Sequence, residues 1–523
     1  MNSKLGRILI LSLACAATVR AESPEQWYRD GQAAVERAKK LTPITGKAKS
    51  VILFIGDGMS VATVTAARIL EGQQRGESGE ENLLSFERLP YTALIKTYNV
   101  DQQVPDSAGT ATAMVTGVKS NGWMLSVNER VAFRDHSSVH HNKLTTILEL
   151  AERVGLATGI VTTSRVTHAT PAACYGHAAD RDWEADSDLP TAAKASDFPD
   201  LARQLIEFPE GNGLEVVLGG GRRNFLPGDA QDPEYADKKG KRADARDLTA
   251  EWSRKPNSAF VWRSKEFTEV DVGSVDHLLG LFQPSHMQYE HDRSTDKAGE
   301  PSLSEMTSKA IDLLAKNTKG YFLMVEGARI DLAHHDNNPY RALTETIELA
   351  KAVQVAQAKT NRSETLIIVT ADHSHLLTMG GYARRGNPIL GKVVTTESAR
   401  EAPTLQAEDA LGQPYTTLLY TMGPGYTGRS AEQPEGSKRF RHKGRGYRYA
   451  TKGRPDLNKI DTTQPDYLSE TVIPADDAEH GGEDVALYAD GPQAHLFRGV
   501  LEQNVIFHVM VDALGLTEVA KEP

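Results

Sequence analysis

Short apolar runs that end in acids recur along the chain. SVILFIGDGMS is unbroken from Val51 to Ile55 and then reaches Asp57. KGYFLMVEGARID runs from Tyr321 to Val325, then gives Glu326 and Asp331; ETLIIVTADHSH runs from Thr365 to Thr370, then gives Asp372, His373 and His375. Continuous rather than alternating apolar runs predict strands buried on both faces, and hence a mostly parallel sheet. Helical periodicity lies between them, as in LTTILELAERVG (144–155) and SEMTSKAIDLLAKN (304–317). The alternation predicts an α/β fold, a three-layer αβα sandwich with a central, mostly parallel sheet. Ligands of such sheets gather beyond the carboxyl ends of the strands, where the acids and histidines sit.

Three stretches break this rhythm. Residues 1–21 place Lys4 and Arg7 before the apolar run Ile8–Ala17 and end at Ala21, the pattern of a secretory signal peptide. Residues 228–300 and 384–470 are polar, the second rich in Lys, Arg, Gly and Pro (SKRFRHKGRGYRYATKGRPD). Both are expected as surface insertions in a single catalytic domain, 22–523.

Composition narrows the function classes. The net charge of −11 argues against nucleic-acid binding, which calls for a basic face. No run after the signal reaches the roughly 18 apolar residues of a membrane span. A periplasmic or secreted location is expected, with no membrane partner. Cleavage after Ala21 would leave Cys174 as the sole cysteine, so packing and metals rather than disulfides must hold the chain.

Seven candidate ligands follow strands or helices: Asp57, Glu326, Asp331, His335, Asp372, His373 and His480. Mixed carboxylate and imidazole donors suit zinc, and oxygen-only sites suit magnesium. Asp331 and His335, four apart, share one face of a helix. Carboxylates gathered at one sheet edge repel one another unless a cation lies between them. PDSAGTATAMVTG (105–117) places Ser107 at the start of a small-residue helix, where free N–H groups and the helix dipole favour an anion. Beside a multi-metal site, Ser107 reads as a metal-activated nucleophile.

These motifs resemble the alkaline phosphatase family. The matching stretches are IGDGM (55–59), PDSAGTATAMVTG (105–117), HATPAACYGHAADRDW (168–183), VEGARIDLAHHDN (325–337), TADHSH (370–375) and EHGGEDVALYADGPQAHLFRGVLEQN (479–504), in the family's order. RALTETI (341–347) and DPEY (232–235) look more like the animal-type branch. The resemblance implies hydrolysis of phosphate monoesters through a phosphoserine at Ser107, with Arg181 gripping the phosphate. It implies one zinc at Asp331, His335 and His480, and a second at Asp57, Asp372 and His373. Magnesium is implied at Asp57, Thr170 and Glu326, with His168 reaching it through water. A homodimer is implied, and the 384–470 stretch falls where the family carries a crown insertion.

Two departures stand out. Leu332 follows Asp331 where better-known branches carry Lys or His. The animal-type calcium site matches Glu234 and Phe282, but Gln283 replaces an acid and Glu300 replaces Asp, which leaves calcium an open alternative. A phosphodiesterase relative would place Thr at the nucleophile, and a phosphate- or metal-binding protein would need no nucleophile at all. Ser107 speaks against both.

Overall fold

The computed structural model describes residues 23–395 and 405–520. The expected signal segment 1–21 lies outside the described residues. Ten strands build one sheet: β1 (Ser50–Gly56), β2 (Tyr91–Lys96), β3 (Ala157–Arg165), β4 (Val216–Gly220), β5 (Ser258–Val261), β6 (His277–Leu281), β7 (Tyr321–Gly327), β8 (Thr365–Ala371), β9 (Val485–Asp490) and β10 (Gly499–Glu502). Their order is β10-β2-β9-β8-β1-β7-β3-β4-β6-β5. Every pairing is parallel except those of β9, which runs antiparallel to β2 and β8.

The unbroken apolar runs form the middle of the sheet. β1, β7 and β8 are buried along their whole length because helices cover both faces. One layer contains the helices Val61–Gln74, Leu303–Leu314 and Pro339–Lys359; the other contains Ser107–Thr116, Ile147–Arg153, Ala169–Ala173 and Val505–Leu514. The αβα sandwich predicted from the sequence is the observed architecture. A fully buried Leu, Ile or Phe contributes about 1.5–3 kcal/mol, and Ile52, Leu53, Phe54, Phe322 and Leu323 are all at 0% exposure.

Register sets the site. Ile55 of β1 pairs with Glu326 of β7 and Thr370 of β8, so Asp57, Glu326 and Asp372 emerge together at the carboxyl edge. The helix Arg329–His335 starts just past β7 and carries Asp331 and His335 back over that edge.

The 228–300 stretch departs from its expected role as a surface insertion. It contributes β5 and β6 to the sheet and buries Trp252, Phe267, Leu278 and Leu279. Its charged segments mask these short apolar runs, which are too brief to read as strands. Among its described residues, the 384–470 stretch takes part only in small pairings, such as Leu377–Met379 with Leu418–Tyr420 and Met422–Gly423 with Ile473–Pro474. The helix Pro24–Lys39 buries no residue of its own and exposes Trp27, Tyr28 and Val35. Among the described residues no helix is long and apolar enough to cross a membrane. Cys174 is a buried free thiol.

Candidate metal centre and nucleophile

A tight turn after β1 makes the centre compact. Gly58 has φ +66°, and a Cβ there would lie 3.0 Å from Asp331 Oδ1 and 3.1 Å from its Cα. Glycine meets both demands. The Gly58 N–H donates to Asp372 Oδ1 at 3.0 Å. On the far side, the two-residue strand His480–Gly481 pairs antiparallel with Ser374–His375, which sets His480 opposite His375.

Three histidines share one orientation. Nδ1 of His335 faces the Ala478 carbonyl, Nδ1 of His480 faces that of Pro105 at 2.8 Å, and Nδ1 of His373 faces that of Ser374 at 3.1 Å. A carbonyl only accepts, so each Nδ1 carries a hydrogen, and in a neutral ring Nε2 presents a lone pair. Burial would lower His335, but Asp331 and the Ala478 carbonyl outweigh it and raise it to about 9, so its Nε2 proton leaves only when a cation takes its place. The three Nε2 atoms point at other electron-rich atoms. His480 Nε2 is 3.3 Å from His335 Nε2, and His335 Nε2 is 3.2 Å from Asp331 Oδ2. His373 Nε2 is 3.4 Å from Asp57 Oδ1 and 3.3 Å from Asp372 Oδ2. Burial lowers the pKa of His373, and that of His480 to about 4, so both rings are neutral near pH 7. Neutral lone pairs converging on carboxylates are the arrangement of a cation site.

The carboxylates agree. Burial, then repulsion from Asp372, Asp331 and Glu326, raises Asp57 far above the usual carboxylate range. Burial also pushes Glu326 up to about 7 and Asp372 up to about 6. For Asp331 burial is outweighed by His335, His375 and His480, which hold it well below its ordinary value. Both oxygens of Asp57, Glu326 Oε1, Asp331 Oδ1, Asp372 Oδ2 and Thr170 Oγ1 are buried with no hydrogen-bond partner. A buried polar atom left unpaired costs about 1–3 kcal/mol; divalent cations would satisfy all of these. Donor atoms converge in three groups: Asp331, His335, His375 and His480; Asp57, Asp331 and His373; and Asp57, His168 and Glu326. The candidate ligands read from the sequence thus come together at one sheet edge.

Ser107 opens the helix Ser107–Thr116, with Asp106 as its N-cap. Its hydroxyl lies 3.1 Å from His373 Nε2. The helix start is less free than the sequence implied, because Asp106 accepts from the N–H groups of Ala108 and Gly109 at 3.1 and 3.2 Å. Arg181 stands beside the same acid: its Nη1 donates to Asp106 Oδ2 at 3.1 Å. Arg181 Nη2 lies 3.2 Å from His168 Nε2. Burial, then the charges of Arg181 and Arg165, drives the His168 pKa well below its ordinary value, so the neutral ring accepts from Arg181.

Around the Glu234, Phe282, Gln283 and Glu300 quartet, Glu300 Oε2 and Asp296 Oδ2 are likewise buried with no hydrogen-bond partner. Glu234 is held by Arg222 at 3.3 Å and by the Ala298 N–H at 3.2 Å. Gln283 donates to Asp296 Oδ1 at 2.6 Å, Glu300 accepts from the Gln288 N–H at 2.8 Å, and Phe282 is fully buried. Asp296, which sequence reading passed over, raises both Glu234 and Glu300 by charge repulsion, second to burial. Sequence reading also left His375 and Asp106 without roles. His375 accepts the Leu376 N–H at Nδ1, so its Nε2 carries hydrogen toward Asp331 Oδ1, 3.4 Å away. Both atoms are buried without a hydrogen-bond partner, and His375 stands with Asp331, His335 and His480 in one group of converging donors. The spacing of two from His373 was the available signal.

The alkaline phosphatase family profile matches residues 48–516. The tissue-nonspecific alkaline phosphatase of Gallus gallus is 42% identical over 518 residues, covering 97% of this chain and 93% of that protein. The Homo sapiens counterpart is 42% identical over 502 residues, covering 94% and 89%. The Thermus thermophilus alkaline phosphatase structure superposes with TM-score 0.62 at 24% identity, covering 92% of this chain and 94% of the other. A mutant enzyme of the bacterium TAB5, solved with magnesium bound, gives TM-score 0.58 at 22% identity, covering 90% and 99%.

Proposed function

The chain belongs to the alkaline phosphatase family and is a phosphoric monoester hydrolase; from that premise we propose that it acts through a phosphoserine at Ser107 with two zinc ions and one magnesium. Asp331, His335 and His480 would hold the first zinc, and Asp57, Asp372 and His373 the second. Asp57, Thr170 and Glu326 would hold magnesium, with His168 reaching it through water. When bound, these ions supply Lewis acidity that lowers the pKa of a hydroxyl or water and balances charge on the phosphate. The observation that carries the reading is the set of Nε2 atoms of His335, His373 and His480 converging on carboxylates beside the Ser107 hydroxyl.

The protein groups divide the work. Arg181 presents its planar fork to two phosphate oxygens. Ser107 Oγ, losing its proton, attacks phosphorus as the ester P–O bond breaks, and the departing alkoxide takes a proton. Water then attacks the phosphoserine, the Oγ–P bond breaks, and Ser107 regains a proton as inorganic phosphate leaves. Asp106 keeps the Arg181 guanidinium beside Ser107 through both steps.

The signal pattern of residues 1–21 supports export to the periplasm or beyond. The exposed Trp27, Tyr28 and Val35 support a homodimer in which the N-terminal helix packs on a second copy. Calcium at Glu234, Phe282, Gln283 and Glu300 would draw on Asp296 for the charge that Gln283 lacks. No membrane or nucleic-acid partner enters this reading.

The test is hydrolysis of p-nitrophenyl phosphate at alkaline pH by the metal-loaded protein, the chelator-treated protein and Ser107→Ala. Activity that needs zinc plus magnesium and falls about 10³-fold or more in Ser107→Ala is the expected result. A metal-loaded protein inactive on this ester would overturn it.

A further inference from the structure

Beside the metal centre a cleft of about 590 Å³ opens between Leu332 and His335 on one side and residues 440–443 on the other. Its charge is lopsided. Lys238, Arg329, Arg441 and Lys443 line it against two acids, Asp336 and Asp477. Asp336 is already engaged, accepting from the Tyr289 hydroxyl at 3.0 Å. Glu432, which precedes this loop, lies 3.5 Å from His442 Nδ1 and accepts from the Lys443 backbone N–H at 3.2 Å, leaving the Arg441 and Lys443 side chains unpaired with it.

Arg329 is the most informative of the four cations. Its guanidinium carbon sits 3.5 Å from the centroid of the Tyr289 ring, and its Nε is buried with no hydrogen-bond partner. Stacking fixes the plane of an arginine while leaving its N–H donors for a ligand. Across the cleft, Arg441 and Lys443 are exposed and belong to the basic run SKRFRHKGRGYRYATKGR, in a protein of net charge −11. Cations kept together at one place in an acidic protein focus anions there.

We propose that this cleft is a leaving-group subsite that favours phosphate monoesters whose alcohol carries a second phosphate. The proposal rests on the phosphomonoesterase reading. His335 belongs both to the metal-binding group and to the cleft lining, so an ester with its phosphate at Ser107 extends its alcohol past His335 into the cleft. A neutral alcohol meets nothing there that holds it. A second phosphate meets the Arg329 fork from one wall and Arg441 with Lys443 from the other, while Lys238 adds charge at the rim. A phosphate accepts hydrogen bonds on several oxygens at once, which matches donors arriving from separate walls better than a carboxylate does.

The test compares kcat/KM of the metal-loaded enzyme for fructose 6-phosphate and fructose 1,6-bisphosphate, at low and at high ionic strength. The bisphosphate should be preferred by about tenfold at low salt, with the preference fading at high salt. The double variant Arg441→Glu with Lys443→Glu, on an exposed loop, should abolish the preference. Lys238→Glu, on the opposite wall, should reduce it by itself. A wild-type ratio no larger than the factor expected from two esters in place of one overturns the subsite, as does a preference that neither variant changes. Failure to hydrolyse either sugar phosphate or p-nitrophenyl phosphate overturns the phosphatase reading and this inference with it.

Discussion

Asp106 binds in two directions: its Oδ2 accepts from Arg181 Nη1 at 3.1 Å, and its two oxygens cap the helix that begins at Ser107. The acid fixes Arg181 and Ser107, the proposed phosphate-binding side chain and nucleophile, to one another. Burial would raise its pKa, but Arg181 and the N–H groups of Trp123, Gly109 and Ala108 outweigh this and lower it, so it stays ionised.

Asp106→Asn keeps the Oδ1 bonds to Gly109 and Trp123 but turns a donor toward Arg181. It should raise KM for p-nitrophenyl phosphate and weaken inhibition by inorganic phosphate, each roughly tenfold, from the loss of one charge-assisted hydrogen bond. Asp106→Ala should in addition lower helix stability by about 1 kcal/mol through loss of the cap. An unchanged KM and unchanged phosphate inhibition in Asp106→Asn would refute the positioning role.

His375→Ala removes the ring whose Nε2 lies 3.4 Å from Asp331 Oδ1. Losing such a support for a ligand typically weakens metal affinity 10–100-fold. Zinc titration of chelator-treated protein should show this weakening, with activity returning at high zinc. If activity stayed low at saturating zinc, His375 would have a role beyond orienting Asp331.

Metal removal should destabilise as well as inactivate. Asp57, Glu326, Asp331 and Asp372 are all buried, and ligands that bind the native state alone add about 4 kcal/mol at a thousandfold excess over Kd. The melting temperature should fall on chelation and recover with zinc plus magnesium. Equal melting with and without metals would show that the buried carboxylates hold no ion.

Far from the centre, Glu152 gives a separate pH dependence. Burial, then repulsion from Glu215, pushes its pKa from 4.5 to about 8, and Thr158 ties the two acids together by donating to both. An acid with a raised native pKa contributes fully below its unfolded value, and that contribution is lost as pH climbs through about 8. Glu152→Gln should match the wild type near pH 4 and exceed it by roughly 1–3 kcal/mol at pH 9. Parallel stability curves for the two proteins across that range would refute this account.

The middle of the sheet was readable in the sequence because β1, β7 and β8 are covered on both faces, so burial wrote itself as unbroken apolar runs. β5 and β6 were not, because short strands near a sheet edge lie inside charged loops. In the centre, Asp57, Asp331, His335 and Asp372 were legible from their positions after strands or on one helix turn. Arg181, Thr170 and His168 came only from the family resemblance, since nothing in local spacing marks an arginine that will lie beside an N-cap. His375 and Asp296 went unassigned because their meaning depends on tautomer and loop packing, which a linear pattern does not encode.

His480 lies against Pro105, 375 positions earlier in the chain, and sits just before β9, the strand that inserts antiparallel between β2 and β8. A chain still emerging during synthesis therefore has Ser107 long before it has the last of the clustered donors. The group Asp331, His335, His375 and His480 is complete only when nearly the whole protein has been made. The centre thus acts as a completion check: a product truncated before residue 480 lacks both the strand that joins β2 to β8 and one of the converging donors.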